Sequence, residues 1–221
     1  MIIDNFQILY DYFISRNYNE ILNGSNYLCI SIINRLKDNT INYNNYPESL
    51  FVYKTLIISD INDLITYIDY IKELCNKLHA RAYITTSPRT FIGLNSTLLN
   101  NISTLLSNNK FNNDNIHLYQ NILDNNCKQN LVIDDDNYHT YILDIDKHIT
   151  QIDIDKILNS DILKNKNAII YKTFAGYHIL SKQYDSVKMH KFLIDEFNNK
   201  SNNKFIDQKG KGCRALLYAN I

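Results

Sequence analysis

Two apolar rhythms alternate along the chain, one helical and one of strand type, and together they predict its elements. Residues 5–14 carry apolar positions at helical spacing. Residues 27–36 (YLCISIINRL) and 50–58 (LFVYKTLII) are rich in aromatic and β-branched side chains, with a polar, turn-like stretch at 38–47 between them. This pattern predicts a long β-hairpin. Ser59 or Asp60 can cap a helix running to about Leu78, with Ile61, Leu64, Ile65, Ile68, Ile71 and Leu74 at helical spacing. Residues 80–86 predict a strand. Ser87-Pro88 predicts a helix start, because proline's missing N–H costs nothing in a first turn. That helix is expected to reach about Leu106, and a second is expected over 116–126, beyond the Asn-rich break at 108–115.

Asp134-Asp135-Asp136 reads as a loop that divides the chain. The expected organisation is an N-terminal α/β unit, 1–133, and a C-terminal unit, 134–221. In the second unit, strands are predicted at 138–146, 168–173 and 177–181, and short final strands at 205–207 and 215–218. Helices are predicted at 152–163 and 186–198. The order β-α-β-β-α-β makes the fold class α+β, with the split βαβ arrangement shared by ferredoxin-like folds, RNA-recognition modules and polymerase palms. Such a fold does not settle function; the site must.

Composition narrows the classes. With 45% hydrophobic residues and only 2 Pro and 5 Gly, a real core is expected and wholesale disorder is not. The 23 Lys+Arg balance the 23 Asp+Glu, which excludes a globally basic nucleic-acid coat and leaves a local basic groove open. No apolar run of about 18 residues predicts a membrane span, and the first residues do not predict a secretory leader. Cys29, Cys75, Cys127 and Cys213 form no CxxC pair, so neither a disulfide framework nor a zinc ribbon is expected. A reducing compartment, the cytoplasm (a host's, if the chain is viral), is the expectation. The chain is rich in Asn, Ile, Tyr, Lys and Asp, as in an AT-rich genome. Any single Asp-x-Asp match is therefore cheap.

Three features could carry chemistry. Asp144 and Asp146 end the strand YILDID, and residues i and i+2 share a strand face. Two carboxylates there repel unless a cation lies between them, and oxygen ligands suit Mg²⁺ or Mn²⁺. Asp153-Ile154-Asp155 is an equal match at a helix start, where carboxylates favour the dipole in any case. Next comes KTFAGYHI, in which Gly176 permits close approach and His178 can face a phosphate. Last, Asp207 precedes a Lys/Gly loop with Lys209 and Arg214, which offers cations and exposed amides. Cys75 and His79 stand one helical turn apart, and packing is the expected reading of that pair.

The order strand-DxD, then GYHI, then apolar-Asp with a downstream Arg resembles the three motifs of the archaeo-eukaryotic primase superfamily. LHARAYI, with its upstream hairpin and helix, also resembles small primase-like proteins of tailed phages. The resemblance spans 27–218 and is strongest from Tyr138 onward. It implies an RNA-recognition-like palm packed on an N-terminal α/β unit, and a nucleotidyltransferase that makes primers on single-stranded DNA from nucleoside triphosphates in viral or plasmid replication. A replicative helicase or polymerase would be an expected partner, and a membrane would not. By analogy Asp144, Asp146 and Asp207 would hold two Mg²⁺ or Mn²⁺ ions. His178, Arg214, Lys172 and Lys209 would meet the triphosphate. Arg81 and Arg89 would contact template phosphates, and Tyr83, Tyr138 and Tyr177 could stack bases. Leu217 stands near where the family often has a second Arg, and Phe174-Ala175-Gly176 replaces its Ser-rich turn. These departures leave a catalytically inactive, nucleic-acid- or nucleotide-binding relative as the alternative.

Overall fold

The computed structural model describes residues 1–35, 50–107, 116–129, 137–198, 206–209 and 213–220. It is a mixed α+β protein with antiparallel ladders, and it divides into two compact units, Met1–Ile133 with Leu216–Ile221, and Asp134–Ala215. Among the described residues no helix is long and apolar enough to cross a membrane. The expected turn at 38–47, the break at 108–115 and the loop Asp134-Asp135-Asp136 lie outside the described residues.

In the first unit, β1 (Ile2–Asp4) precedes α1 (Phe6–Ser15) and the short α2 (Tyr18–Ile21). β2 (Asn26–Arg35) and β3 (Leu50–Ile58) pair antiparallel from Leu28↔Ile58 to Arg35↔Leu50, with a register shift at Ile32/Ile33. This is the hairpin the apolar pattern predicts. α3 (Asp63–Leu78) buries Leu64, Ile71 and Cys75 on one face. His79 ends it in the left-handed conformation, its N–H bonded to the Cys75 carbonyl. Burial pushes the Cys75 thiol up to about 12. The Cys75–His79 pair is thus a packed residue beside a helix cap.

β4 (Arg81–Thr85) pairs with β2, but the helix expected from Pro88 starts later. β5 (Arg89–Thr90) first pairs with β2, Tyr27↔Arg89 and Asn26↔Thr90, and α4 (Phe91–Ser107) follows. The ladder takes the backbone that a first helical turn would have used. α5 (Ile116–Gln129) packs on the hairpin, and buried Ser31 donates its hydroxyl hydrogen to Asp124 on it.

The second unit runs β6 (Thr140–Asp146), α6 (Gln151–Leu158), β7 (Ile169–Lys172), β8 (Gly176–Lys182), α7 (Ser186–Leu193) with a π-helical turn Ile194–Asn198, and β9 (Ile206–Lys209). The sheet order is β7-β8-β6-β9, and the ladders β7·β8, β8·β6 and β6·β9 are all antiparallel. Leu143, Ile145, Ile179 and Ile206 point to one face, where they pack with Ile154 and Ile157 of α6 and Met189 and Leu193 of α7. α6 stops at Leu158, short of the expected 163, yet the following turns still bring Leu163 into this core.

The final strand departs most from expectation. β10 (Arg214–Asn220) joins the first unit's sheet, ordered β1-β10-β4-β2-β3. Ala215 to Ala219 are all buried, which suits a strand flanked on both sides. Asn5 fastens it, its backbone N–H donating to Leu217 O and its side-chain amide to Leu216 O. The second unit therefore ends at Ala215, not at 221.

Candidate functional site

The site is built on the face of the second sheet opposite α6 and α7. Antiparallel partners directly opposite one another point to the same side. The ladders set Tyr171 against His178, His178 against Asp144, and Asp144 against Asp207. Four strands thus contribute one residue each to a single rung. Asp146, two residues beyond Asp144, lies on the same face, opposite Gly176.

Gly176 decides how closely that end of the sheet can close. Its φ is +154°, and a Cβ there would sit 2.0 Å from the Ile145 carbonyl oxygen and 2.7 Å from Lys147 N. Only glycine lets β8 enter the ladder against the Asp146 backbone. Thr173 N donates to Gly176 O, leaving Phe174-Ala175 as the tip of a tight hairpin.

The rung is hydrogen-bonded across the strands. His178 Nε2 lies 3.1 Å from Asp144 Oδ1, and Tyr171 Oη lies 2.9 Å from His178 Nδ1. Lys209 Nζ lies 2.7 Å from Asp144 Oδ2. The His178 hydrogen bond, followed by that of Lys209, holds the Asp144 carboxyl well below the usual carboxylate range. An ionised carboxylate only accepts, so His178 Nε2 carries the proton and, in the neutral ring, Nδ1 accepts from the Tyr171 hydroxyl. Asp146 Oδ1 accepts from His148 N at 3.0 Å, and Asp207 Oδ1 from Gln208 N at 3.0 Å.

No protein-family model matches the chain, and neither does any curated protein or solved structure.

The sequence candidates divide by position. Asp144, Asp146, Asp207, His178 and Lys209 share one sheet face. Lys172 does not: its partner is Tyr177, and that rung points to the α6/α7 side. Arg214 opens β10, which pairs in the first unit's sheet. Arg81 and Tyr83 are each 9% exposed and Arg89 is 2% exposed. The second Asp-x-Asp, Asp153/Asp155, lies on α6, where Asp153 and Thr150 form a reciprocal capping box. Sequence reasoning missed Tyr171. Its signal is the two-residue hairpin tip, because counting outward from Phe174-Ala175 pairs 171 with 178.

The carboxylates suit a hard divalent ion in kind, being oxygen donors from neighbouring strands. The Lys209 ammonium already rests on one of them as a cation. Among the described residues no three His, Cys, Asp or Glu side chains converge at metal-binding distance. Asp144, Asp146 and Asp207 are instead turned to the protein donors named above.

Proposed function

We propose that this chain is a primase-type nucleotidyltransferase that extends or starts a strand on a single-stranded DNA template from nucleoside triphosphates. The carrying observation is the rung in which Asp144 and Asp207 stand opposite each other with His178 bonded to Asp144. The strand order of the second unit supports reading it as an RNA-recognition-like palm. Like charges directly opposite are unfavourable in a sheet without a cation to offset them, a place that the Lys209 ammonium holds at Asp144. Mg²⁺ or Mn²⁺ would supply charge neutralisation at a phosphate, and Asp144, Asp146 and Asp207 would have to turn from their present donors to hold it. His178 orients Asp144 through Nε2, and Tyr171 fixes the ring from the other side.

Template-dependent incorporation of labelled nucleotide with Mg²⁺ or Mn²⁺ tests the reading. Wild type should incorporate, and Asp144→Asn and Asp207→Asn should each lose about 100-fold or more, as when an essential charge-stabilising group is removed. Activity retained in Asp144→Asn sinks the assignment. A second reading, a binding module without catalysis, is favoured by the Lys209 ammonium seated on Asp144. It expects nucleotide binding with no incorporation on any template.

A further inference from the structure

Helix α4 turns a line of apolar side chains to solvent. Ile92, Leu99 and Leu106 are 86%, 68% and 56% exposed, and they follow one another at seven-residue steps. The packed side of the helix is a different one. Leu94 is buried with Tyr27, Cys29 and Cys127, and Asn101 donates its side-chain amide to Asn126 Oδ1 on α5. At about 100° per residue, Leu99 lies about 140° around the helix from Leu94. The line therefore belongs to a separate face. Seven residues make about two turns, so the three side chains form one stripe about 21 Å long.

Single exposed leucines are ordinary, whereas an aligned set marks a contact surface. Apolar side chains repeated every seven residues are spaced as one helix needs to follow another. Charge selects the partner. All 17 residues of α4 are uncharged, whereas α1, α3, α5, α6 and α7 each carry charge. A solvated helix face ordinarily bears charged residues. A second copy of this face meets the first without like-charge repulsion. The stripe is flanked by Asn95 on one side and by Ser96 and Ser103 on the other, short neutral side chains that let two helices approach closely.

We propose that Ile92, Leu99 and Leu106 form the contact between two copies of this chain, α4 packing on α4 across a two-fold axis that passes close to Leu99. A two-fold contact uses the same patch on both copies. Leu99, at the middle of the stripe, then faces its own counterpart whether the helices run parallel or antiparallel. This contact is independent of the nucleotidyl-transfer reading. One helix face offers less than the roughly 800 Å² per partner of a standard interface, so the dimer should be weak, half-associated at about 10–100 μM.

Sedimentation velocity of the full chain, run well below and well above that range, tests this. Wild type should pass from monomer to dimer. Leu99→Glu changes only an exposed position of the monomer and should keep the wild-type circular dichroism. It should raise the half-association concentration at least about 30-fold, because two carboxylates would be buried face to face. Leu99→Lys should do the same alone, and an equal mixture of the two variants should recover dimer. Wild type that stays monomeric throughout, or a dimer that Leu99→Glu leaves intact, overturns the proposal. A mixture that stays monomeric places the axis elsewhere and overturns it as well. Monomeric wild type that floats with phosphatidylcholine vesicles gives the stripe to a lipid surface instead. If the charged variants do not fold, Leu99→Cys decides. With diamide as oxidant it should form a disulfide-linked dimer faster than Ile152→Cys, whose position on α6 is 80% exposed; equal rates overturn the contact.

Discussion

Asp207 on β9 stands directly opposite Asp144 on β6, and the Lys209 ammonium on the same strand lies 2.7 Å from Asp144 Oδ2. An edge strand of four residues thus brings both a second negative charge and the cation that offsets the pair. The balance of these charges governs how the second unit should respond to acid and to substitution.

Acid should unfasten this rung. The Asp144 carboxyl titrates below the roughly 3.9 of an unfolded aspartate. Its interactions therefore stabilise the fold fully above about pH 4, and that contribution is lost as pH falls below this value. Because the side chain is partly exposed, solvent screening limits the effect to about 1 kcal/mol. Urea midpoints measured from pH 6 down to pH 2 should fall more steeply in wild type than in Asp144→Asn. Parallel curves would contradict the prediction.

Gly176→Ala should be among the most damaging single changes. Its Cβ would overlap the Ile145 carbonyl and the Lys147 amide at a φ that side chains rarely adopt. Strain and overlap together should cost about 2–4 kcal/mol. Thermal and denaturant unfolding measure the loss. A variant within 0.5 kcal/mol of wild type, roughly the scale of an ordinary surface change, would show that the β7–β8 turn closes differently.

Tyr171→Phe removes the hydroxyl that bonds His178 Nδ1. About 1 kcal/mol of stability should go with it. The imidazole ¹⁵N shifts should also move from a single Nε2–H form toward a tautomer mixture. Unaltered ¹⁵N shifts would mean that Asp144 alone orients the ring.

Thr150→Ala separates structure from chemistry. It breaks the capping box with Asp153 on α6 and should cost about 1 kcal/mol. Nucleotide incorporation, measured at a temperature where the variant stays folded, should not change. A large loss of incorporation would draw the second Asp-x-Asp into the site.

Local pattern alone determined a good deal of this protein. Runs rich in aromatic and β-branched residues marked β2 and β3, because such side chains fit a pleated, buried surface, and apolar segments between turn signals marked β6, β7 and β8. Helical spacing marked α1, α3 and α7, and the tight turn at Gly176 was legible from a single residue type. Tertiary structure decided the rest. The apolar run Ala215-Leu216-Leu217-Tyr218-Ala219 is buried on both faces and fits either sheet, and only long-range pairing assigns it to β1 and β4. Ladder register turned Lys172 away from the acids and brought Tyr171 to His178, since a one-residue shift in pairing moves a side chain to the opposite face. The counter-ion at Asp144 was likewise decided in space: charge neutralisation depends on distance across strands, which order along the chain does not encode.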